Sequence, residues 1–341
     1  MTTYKYNHEG ATLTVEAGDP QTALKKVELI IRRRADSENL RETTPRIEAF
    51  RAYINERQTI FNKRAAGEKA PWTKDDILLN YRFCNVFRED DTVTVWVEEN
   101  IRKPFADHPN LWIMLAIARY INWPPTLAHL ITYPDAWPSS ENFDPKDLAQ
   151  GLEEWSANNK KTYTGAYMIR AESDQSKEWY SWSKNRYIAE IVIGSLWEDR
   201  DDWEELLENN PTLEEVWNKF QQPTYRGFGP FMAYEVVTDL RHTRYCRNAS
   251  DIYLWANAGP GAIRGLNRLY GRPLNQQPKR TQTNDEMLKL MTELNEGMPE
   301  AFAHVEKFEM RDVEHNLCEF DKYERVRLGE GKPRSLYNGR G

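Results

Sequence analysis

An all-α fold is what this sequence predicts, and three observations predict it. Apolar residues recur at helical spacing along most of the chain, recognisable helix starts and stops bracket those runs, and no stretch alternates strongly enough to supply a sheet core. The amino terminus departs from the pattern: Tyr4 to Val15 alternates weakly and reads as a small hairpin.

The elements follow in order. From Pro20 a helical face carries Ala23, Val27, Ile30 and Ile31, with Arg32, Arg33 and Arg34 after it. Pro45 opens a helix whose stripe is Ile47, Phe50, Ile54 and Phe61; its other face carries Arg51, Arg57, Lys63 and Arg64. Residues 65–70 form a linker. Thr73 then serves as an N-cap, with Asp76 at the third position after it, for a helix through Leu79, Phe83 and Phe87. Asn110 precedes the apolar run LWIMLAIARYINWP, which Pro124 and Pro125 stop. Residues 135–147 are loop-like. Helices are expected around Leu148 to Asn158, Trp179 to Trp197 and Leu213 to Phe220, and two terminal segments follow, Asp285 to Leu294 and Glu300 to Glu319. The tail from Arg325 is rich in Gly and Arg and orders only against DNA or the body of the protein. This organisation predicts an amino-terminal helical extension over residues 1–70. A helical body over 71–341 follows, including a hairpin region at 213–272 and a lid or tail at 300–341.

Composition excludes several classes. The net charge of −7 argues against a protein that coats DNA by charge alone, because phosphate neutralisation needs an excess of Lys and Arg; a local basic face remains compatible. The 12 Trp and 17 Tyr supply core area and can also stack on bases, so they do not choose between the two uses. Cys84, Cys246 and Cys318 are odd in number, far apart and outside any CxxC pair, which argues against a disulfide framework and against zinc. That usage fits a reduced, cytoplasmic setting, and no metal or cofactor is expected. Met1 to Asp19 lacks the apolar core of a signal peptide. The longest apolar stretches, such as Leu111 to Ala118, are too short to span a bilayer, so no membrane partner is expected.

Two glycine corners hold the densest motifs. In YRGFGPFMAYEVVTDL, Gly227 and Gly229 flank Phe228 and precede an amphipathic helix striped by Phe231, Tyr234, Val237 and Leu240. Glycine permits a tight left-handed turn, and a helix amino terminus offers unpaired N–H groups and a positive dipole end, which together cradle a phosphate. The pattern resembles the hairpin of helix-hairpin-helix DNA-binding proteins, including base-excision glycosylases. The alternative is that the glycines serve only to end one helix and pack closely. The second corner holds Gly259, Gly261 and Gly265. Between Gly259 and Asn284 stand Arg264, Arg268, Arg272, Lys279 and Arg280, with no acidic residue among them. This reads as a basic ridge for DNA phosphates, against the alternative of a solvated basic helix. Upstream, Arg241, Arg244 and Arg247 add positive charge. Asp251 follows Gly229 at a spacing similar to that of the catalytic Asp in the glycosylases; a helix N-cap is its other reading, and Asp239 could equally pair with a neighbouring Arg.

The motifs NYRFCNVFRE, ARYINWPPT, TGAYMI, GFGPFMAYEVVTDL, AGPGAIRGL and HNLCEFDKYERVRLGEG resemble, in this order, the family of α-glutamyl/putrescinyl thymine pyrophosphorylases, some of whose members are named amino acid:DNA transferases. The resemblance runs from about Asn55 to Tyr337. The same helical module is similar to one fused to hydroxymethyluracil DNA kinases, although no GxxxxGK[ST] phosphate loop occurs here. The resemblance implies a glycosylase-like helical fold and a phage-infected bacterial host. It also implies a transferase on double-stranded DNA, in which an amine (an amino acid or polyamine) displaces phosphate or pyrophosphate from an activated hydroxymethylated thymine. A glycosylase or lyase on the same scaffold, or a non-catalytic DNA-binding module, are the alternatives.

That chemistry assigns roles. An extruded base needs aromatic walls, for which Tyr81, Phe83, Tyr163, Tyr167 and Phe231 are candidates, with core packing favoured for Phe83 and Phe231. The departing anion needs cations: Arg82, Arg88, Lys160 and Lys161. Arg82 and Arg88 could instead pair with Glu89, Asp90 or Asp91. The attacking amine needs a proton acceptor: Asp239, Asp251 or Glu319. Asn85 and Asn122 add polar contacts to substrate, and Arg264 or Lys322 could clamp an amino-acid carboxylate. Direct displacement requires no enzyme nucleophile, so His315 and Cys318 receive no such role.

Overall fold

The computed structural model describes residues 2–8, 11–23, 26–27, 46–159, 161–169, 171–298, 300–302, 305, 307–333 and 336–337. Among the described residues the fold is all-α apart from strands β1 (Thr2–His8) and β2 (Ala11–Ala17), an antiparallel pair with Tyr4 opposite Val15. Then come helices α1 (Arg46–Ala65), α2 (Asp76–Asn80), α3 (Thr92–Val97), α4 (Leu111–Ile121), α5 (Pro124–Thr132) and α6 (Pro145–Asn158). Three helical pieces follow, Lys184–Arg186, the π-helical Tyr187–Ile193, and Gly194–Glu198. The chain continues through α7 (Arg200–Glu208), α8 (Leu213–Phe220), α9 (Pro230–Leu240), α10 (Pro260–Leu269), α11 (Arg280–Glu296) and α12 (Met310–Arg327). The expected Arg32 to Arg34 segment and Lys160 lie outside the described residues.

The chain forms two compact units, and both are discontinuous. The first comprises Met1–Val86, Pro260–Phe308 and Val313–Gly341; the second comprises Phe87–Gly259 and Glu309–Asp312. The boundary expected at residue 70 falls inside the first unit.

In the first unit, Leu13, Val15, Ala17, Ala23 and Val27 form a small apolar cluster under the strand pair, with Tyr4 against it. Helix α1 buries Phe50, Tyr53, Ile54 and Ile60, and the Phe50 ring meets Phe320 of α12 edge-on at 5.3 Å. Sequence reading carried the next helix through Phe87, but α2 ends at Asn80. Its N-cap is Asp75, whose carboxylate accepts from Ile77 and Leu78 N–H, while Thr73 caps Asp75 itself. Beyond it the backbone is satisfied by side chains of α1 and α12 instead of by its own helix. Arg57 donates to the Cys84 carbonyl and Asn316 to that of Val86; Glu319 accepts from the Cys84 N–H, and His315 meets the Asn85 carbonyl. Within the expected terminal segment from Glu300, the last helix begins at Met310 and continues to Arg327. In the tail, Tyr337 N–H donates to Asn80 and Leu336 bridges Tyr81, so these residues order against the body.

The second unit is built around α4, whose eleven residues are all buried. A helix apolar on every side can only be a core element. Trp112 stacks on Trp203 of α7 at 5.2 Å, and Trp203 continues to Phe220 of α8 at 4.4 Å. Asn122 ends α4 in the left-handed conformation (φ 46°). The prolines expected to stop this helix also start the next one: Pro124 occupies the first turn of α5, where its missing N–H costs nothing.

Candidate functional site

Helices α8 and α9 are joined by a tight turn that contains the first glycine corner. Thr212 and Glu215 cap α8 reciprocally, and Asp251 adds a second cap by accepting from Leu213 N–H (2.8 Å) and Glu214 N–H (3.0 Å). Inside the turn Tyr225 and Phe228 point inward. Tyr225 donates to Asp199, and Phe228 packs on Phe220 and Tyr120. Gly227 sits at φ +83°, where a Cβ would lie 2.6 Å from the Tyr120 hydroxyl, so only glycine fits. Gly229 caps α9 and faces open space. Both glycines are exposed, and so is Phe231, at 53%. Core packing, the expected fate of Phe231, is therefore not what the structure shows; Phe83 is buried as expected.

From this exposed corner one face of α9 runs inward through Phe231, Glu235 and Asp239, spaced one helical turn apart. Glu235 is engaged by both terminal nitrogens of Arg88 at 2.5 Å and by the Tyr167 hydroxyl at 2.5 Å. Asp239 takes Arg119 through Nε and, at 2.7 Å, Nη2; Arg119 also donates to Thr94 at 3.0 Å and reaches Asn122 Oδ1 at 3.5 Å. The Tyr167 ring meets Phe231 edge-on at 5.1 Å, which links the polar cluster to the exposed corner. Four residues singled out in the sequence, Arg88, Asn122, Tyr167 and Asp239, thus converge in one place.

Electrostatics fix the protonation states. Burial alone would raise the Glu235 carboxyl, but Arg88, Arg119 and the Tyr167 hydroxyl outweigh it and hold the pKa at about 2. Burial, reinforced by Glu235, pushes the Tyr167 phenol well above its usual range, so it stays a donor. The cluster holds two guanidinium cations against two carboxylates. Arg88 keeps 17% side-chain exposure, whereas Arg119 and Asp239 are nearly sealed. Arg119 and Glu235 were missed in the sequence, yet a signal existed. An arginine inside the otherwise apolar run LWIMLAIARYI needs a buried partner, and a carboxylate is the strongest one. The alternative reading of Arg88 is an ion pair with Glu89, Asp90 or Asp91, but its partner is Glu235, distant in sequence. Glu89 is instead held by Arg311 and His242.

Other candidates of this unit lie apart from the α9 face in their contacts. Lys161 sits 3.3 Å over the Trp123 ring. Tyr163 donates to Asn185 at 2.7 Å, with Lys184 over its ring. Asp251 spends both oxygens on the start of α8. Gly259 is half-buried, and Arg241 is bound by Glu309.

The second glycine corner departs from expectation. A Cβ on Gly261 would fall on Cys318 Sγ, and one on Gly265 on the Leu317 carbonyl, both of α12. These glycines are buried and serve helix packing, not phosphate approach. The ridge behind them is neutralised by acids distant in sequence. Arg264 and Arg268 share Asp321 (2.9 and 2.8 Å), Arg268 also takes Glu330 (2.6 Å), and Arg272 grips Glu286 with two bonds. Arg268 is 3% exposed at its side chain and already holds two acids, so it is not part of a surface ridge that a DNA backbone could run along. Lys279 and Arg280 are exposed, and Arg264 keeps 38% side-chain exposure while paired with Asp321. Glu319 is buried and accepts from Lys322 at 2.8 Å; burial would raise it, but Lys322 and His315 hold it low. Lys322, expected as a carboxylate clamp, already serves Glu319 and lies over Phe83. Tyr81 is half-buried, Asn85 lends its carbonyl to His315, and Arg82 is exposed.

The family model described as "5-hmdU DNA kinase, helical domain" matches residues 44–333. The chain belongs to this family. A "5-hmdU DNA kinase" of Bacillus phage SP10 is 26% identical over 235 residues, which are 64% of this chain and 35% of that protein. The chain therefore spans about a third of the length of the relative it matches. No solved structure matches it. No helix among the described residues is long and apolar enough to cross a membrane.

Proposed function

We propose that this chain is a transferase on DNA that carries an activated 5-hydroxymethyluracil, and that an amine displaces the phosphate or pyrophosphate on its methylene. The observation that carries the reading is the α9 face. It leads from an exposed glycine corner and the exposed Phe231 to a guanidinium and a phenol that remain donors at neutral pH. Membership in a helical family named for a kinase of 5-hmdU DNA supports the choice of substrate.

In this reading Gly229 and the start of α9 meet a backbone phosphate, while Phe231 and Tyr167 wall an extruded base. The amine lone pair attacks the methylene carbon, and the carbon–oxygen bond breaks. The departing oxyanion takes that electron pair, with Arg88 and Tyr167 turning toward it from Glu235. The amine's proton leaves to the released phosphate or to water. Glu235, held at about pKa 2, is a weak proton acceptor, and Asp239 is committed to Arg119. These carboxylates orient cations and do not abstract the proton. Glu319 and Asp251 are equally committed, to Lys322 and to the α8 backbone.

The test is incubation with a duplex carrying phosphorylated 5-hydroxymethyluracil and a panel of amino acids and polyamines, read by the mass of the digested nucleosides. A heavier, amine-bearing nucleoside with loss of phosphate supports the reading. Release of a free base would replace it with a glycosylase, and unchanged nucleosides under every amine would leave a binding module.

A further inference from the structure

The first unit contains a cleft that the proposed chemistry does not use. It has a volume of about 520 Å³, within the range of metabolite sites. Its floor is apolar, made by Leu78, Leu269, Tyr53 and Phe320, all nearly buried. Tyr53 packs on Phe320 at 5.7 Å and on Tyr323 at 5.1 Å, so the aromatic wall is rigid. Arg46 and Lys74 stand at the rim with one acid, Glu56, whereas the other two acids of the lining are committed. Asp75 caps α2 and accepts from the Tyr323 hydroxyl, and Glu324 is held by both nitrogens of Arg327.

Arg268 also lines this cleft, and it is the decisive feature. It is 5% exposed; its Nε goes to Asp321 and its Nη2 to Glu330, but Nη1 is buried and meets no hydrogen-bond acceptor among the described residues. Arg51, Arg57, Arg88, Arg102 and Arg325 also leave a buried Nε without a hydrogen-bond acceptor among the described residues, but Arg268 is the one whose terminal nitrogen is left so, and a fork with two arms anchored holds that third arm in a fixed direction. Gly271 (φ +65°) leaves room for the Arg46 guanidinium, with which a Cβ there would collide.

We propose that this cleft binds a metabolite-sized anion, a carboxylate or phosphate, whose charged group meets Arg268 Nη1 and Arg46 and whose remainder lies on the Tyr53 and Phe320 floor. Binding requires no DNA, so the proposal stands or falls separately from the transferase reading.

The experiment is isothermal titration of the full chain, without DNA, with three probes: inorganic phosphate, L-glutamate and thymidine monophosphate. Phosphate and thymidine monophosphate binding without glutamate would identify a phosphate site, and glutamate binding without phosphate a carboxylate site; either result supports the proposal. Two variants localise the binding. Arg268→Lys keeps the charge beside Asp321 but removes the third arm, and at least a tenfold weakening is expected. Ala52→Trp, at an exposed position lining the cleft, fills it without touching any ion pair; loss of binding with an unchanged melting temperature is expected. Saturable binding that survives Ala52→Trp, or no binding of any of the three probes, would overturn the assignment.

Discussion

The two glycine-started helices, α9 and α10, look alike in the sequence and differ in the fold. One follows a Gly-x-Gly corner and the other begins within Gly-Pro-Gly, and each carries charges at helical spacing. Around α9 the corner stays at the surface, and the charges behind it are buried acids gripped by arginines from elsewhere in the second unit. In α10 the charges are arginines gripped by acids from α12 and the segment after it, Arg272 just beyond α10 is gripped by an acid of α11, and Gly261 and Gly265 are consumed by contact with α12. A glycine corner is available to a ligand only where no neighbouring helix has used its missing Cβ. A run of like charge is a binding ridge only where the fold supplies no partners for it.

The contrast can be broken by mutation. The largest effect is expected from Asp239→Asn, which leaves Arg119 charged in a sealed environment; urea denaturation should show a loss of about 3–5 kcal/mol. A loss below about 1 kcal/mol would mean that the pair is not buried as described. Gly265→Ala should cost about 1–3 kcal/mol, because the new methyl meets backbone of α12 and not a side chain that can turn away. Stability equal to the parent would show that α10 and α12 are looser than this packing requires.

Glu235→Gln sharpens the comparison through pH. The folded pKa of Glu235 is depressed to about 2 from the usual 4.5, so its contribution is complete above about pH 4.5 and is lost as the pH falls towards 2. The variant should lose about 1–3 kcal/mol at pH 7 and show a shallower decline in acid than the parent. Identical acid profiles would count against the Arg88 pairing. The smallest effect belongs to Gly229→Ala: φ is −63° and the space is open, so stability should stay within about 1 kcal/mol of the parent in the same denaturation experiment.

Much of the fold was legible. The run LWIMLAIARYI announces a core helix, the Phe50 and Ile54 stripe announces α1, and the weak alternation before Val15 announces the strand pair. The short α2 was not legible, because its continuation is overruled by side chains of α12 more than two hundred positions away in sequence. At the site, the convergence of Arg88, Tyr167 and Asp239 was anticipated as a set of candidate types, but not as ion pairs. Pairing is tertiary information: Arg119 finds Asp239 across the second unit, just as Arg268 finds Asp321 across the first. The acid-free stretch after Gly259 misled for the same reason, since local sequence shows the cations and hides their partners.

The most direct test of the central claim is duplex binding at low salt, followed by fluorescence anisotropy, for Phe231→Glu beside Arg264→Gln. The first variant puts a negative charge at the exposed α9 corner; the second removes a cation that Asp321 already occupies. At least tenfold weaker binding for Phe231→Glu with parental binding for Arg264→Gln is the expected result. Weakening by Arg264→Gln alone would place the DNA on the α10 ridge and contradict the account.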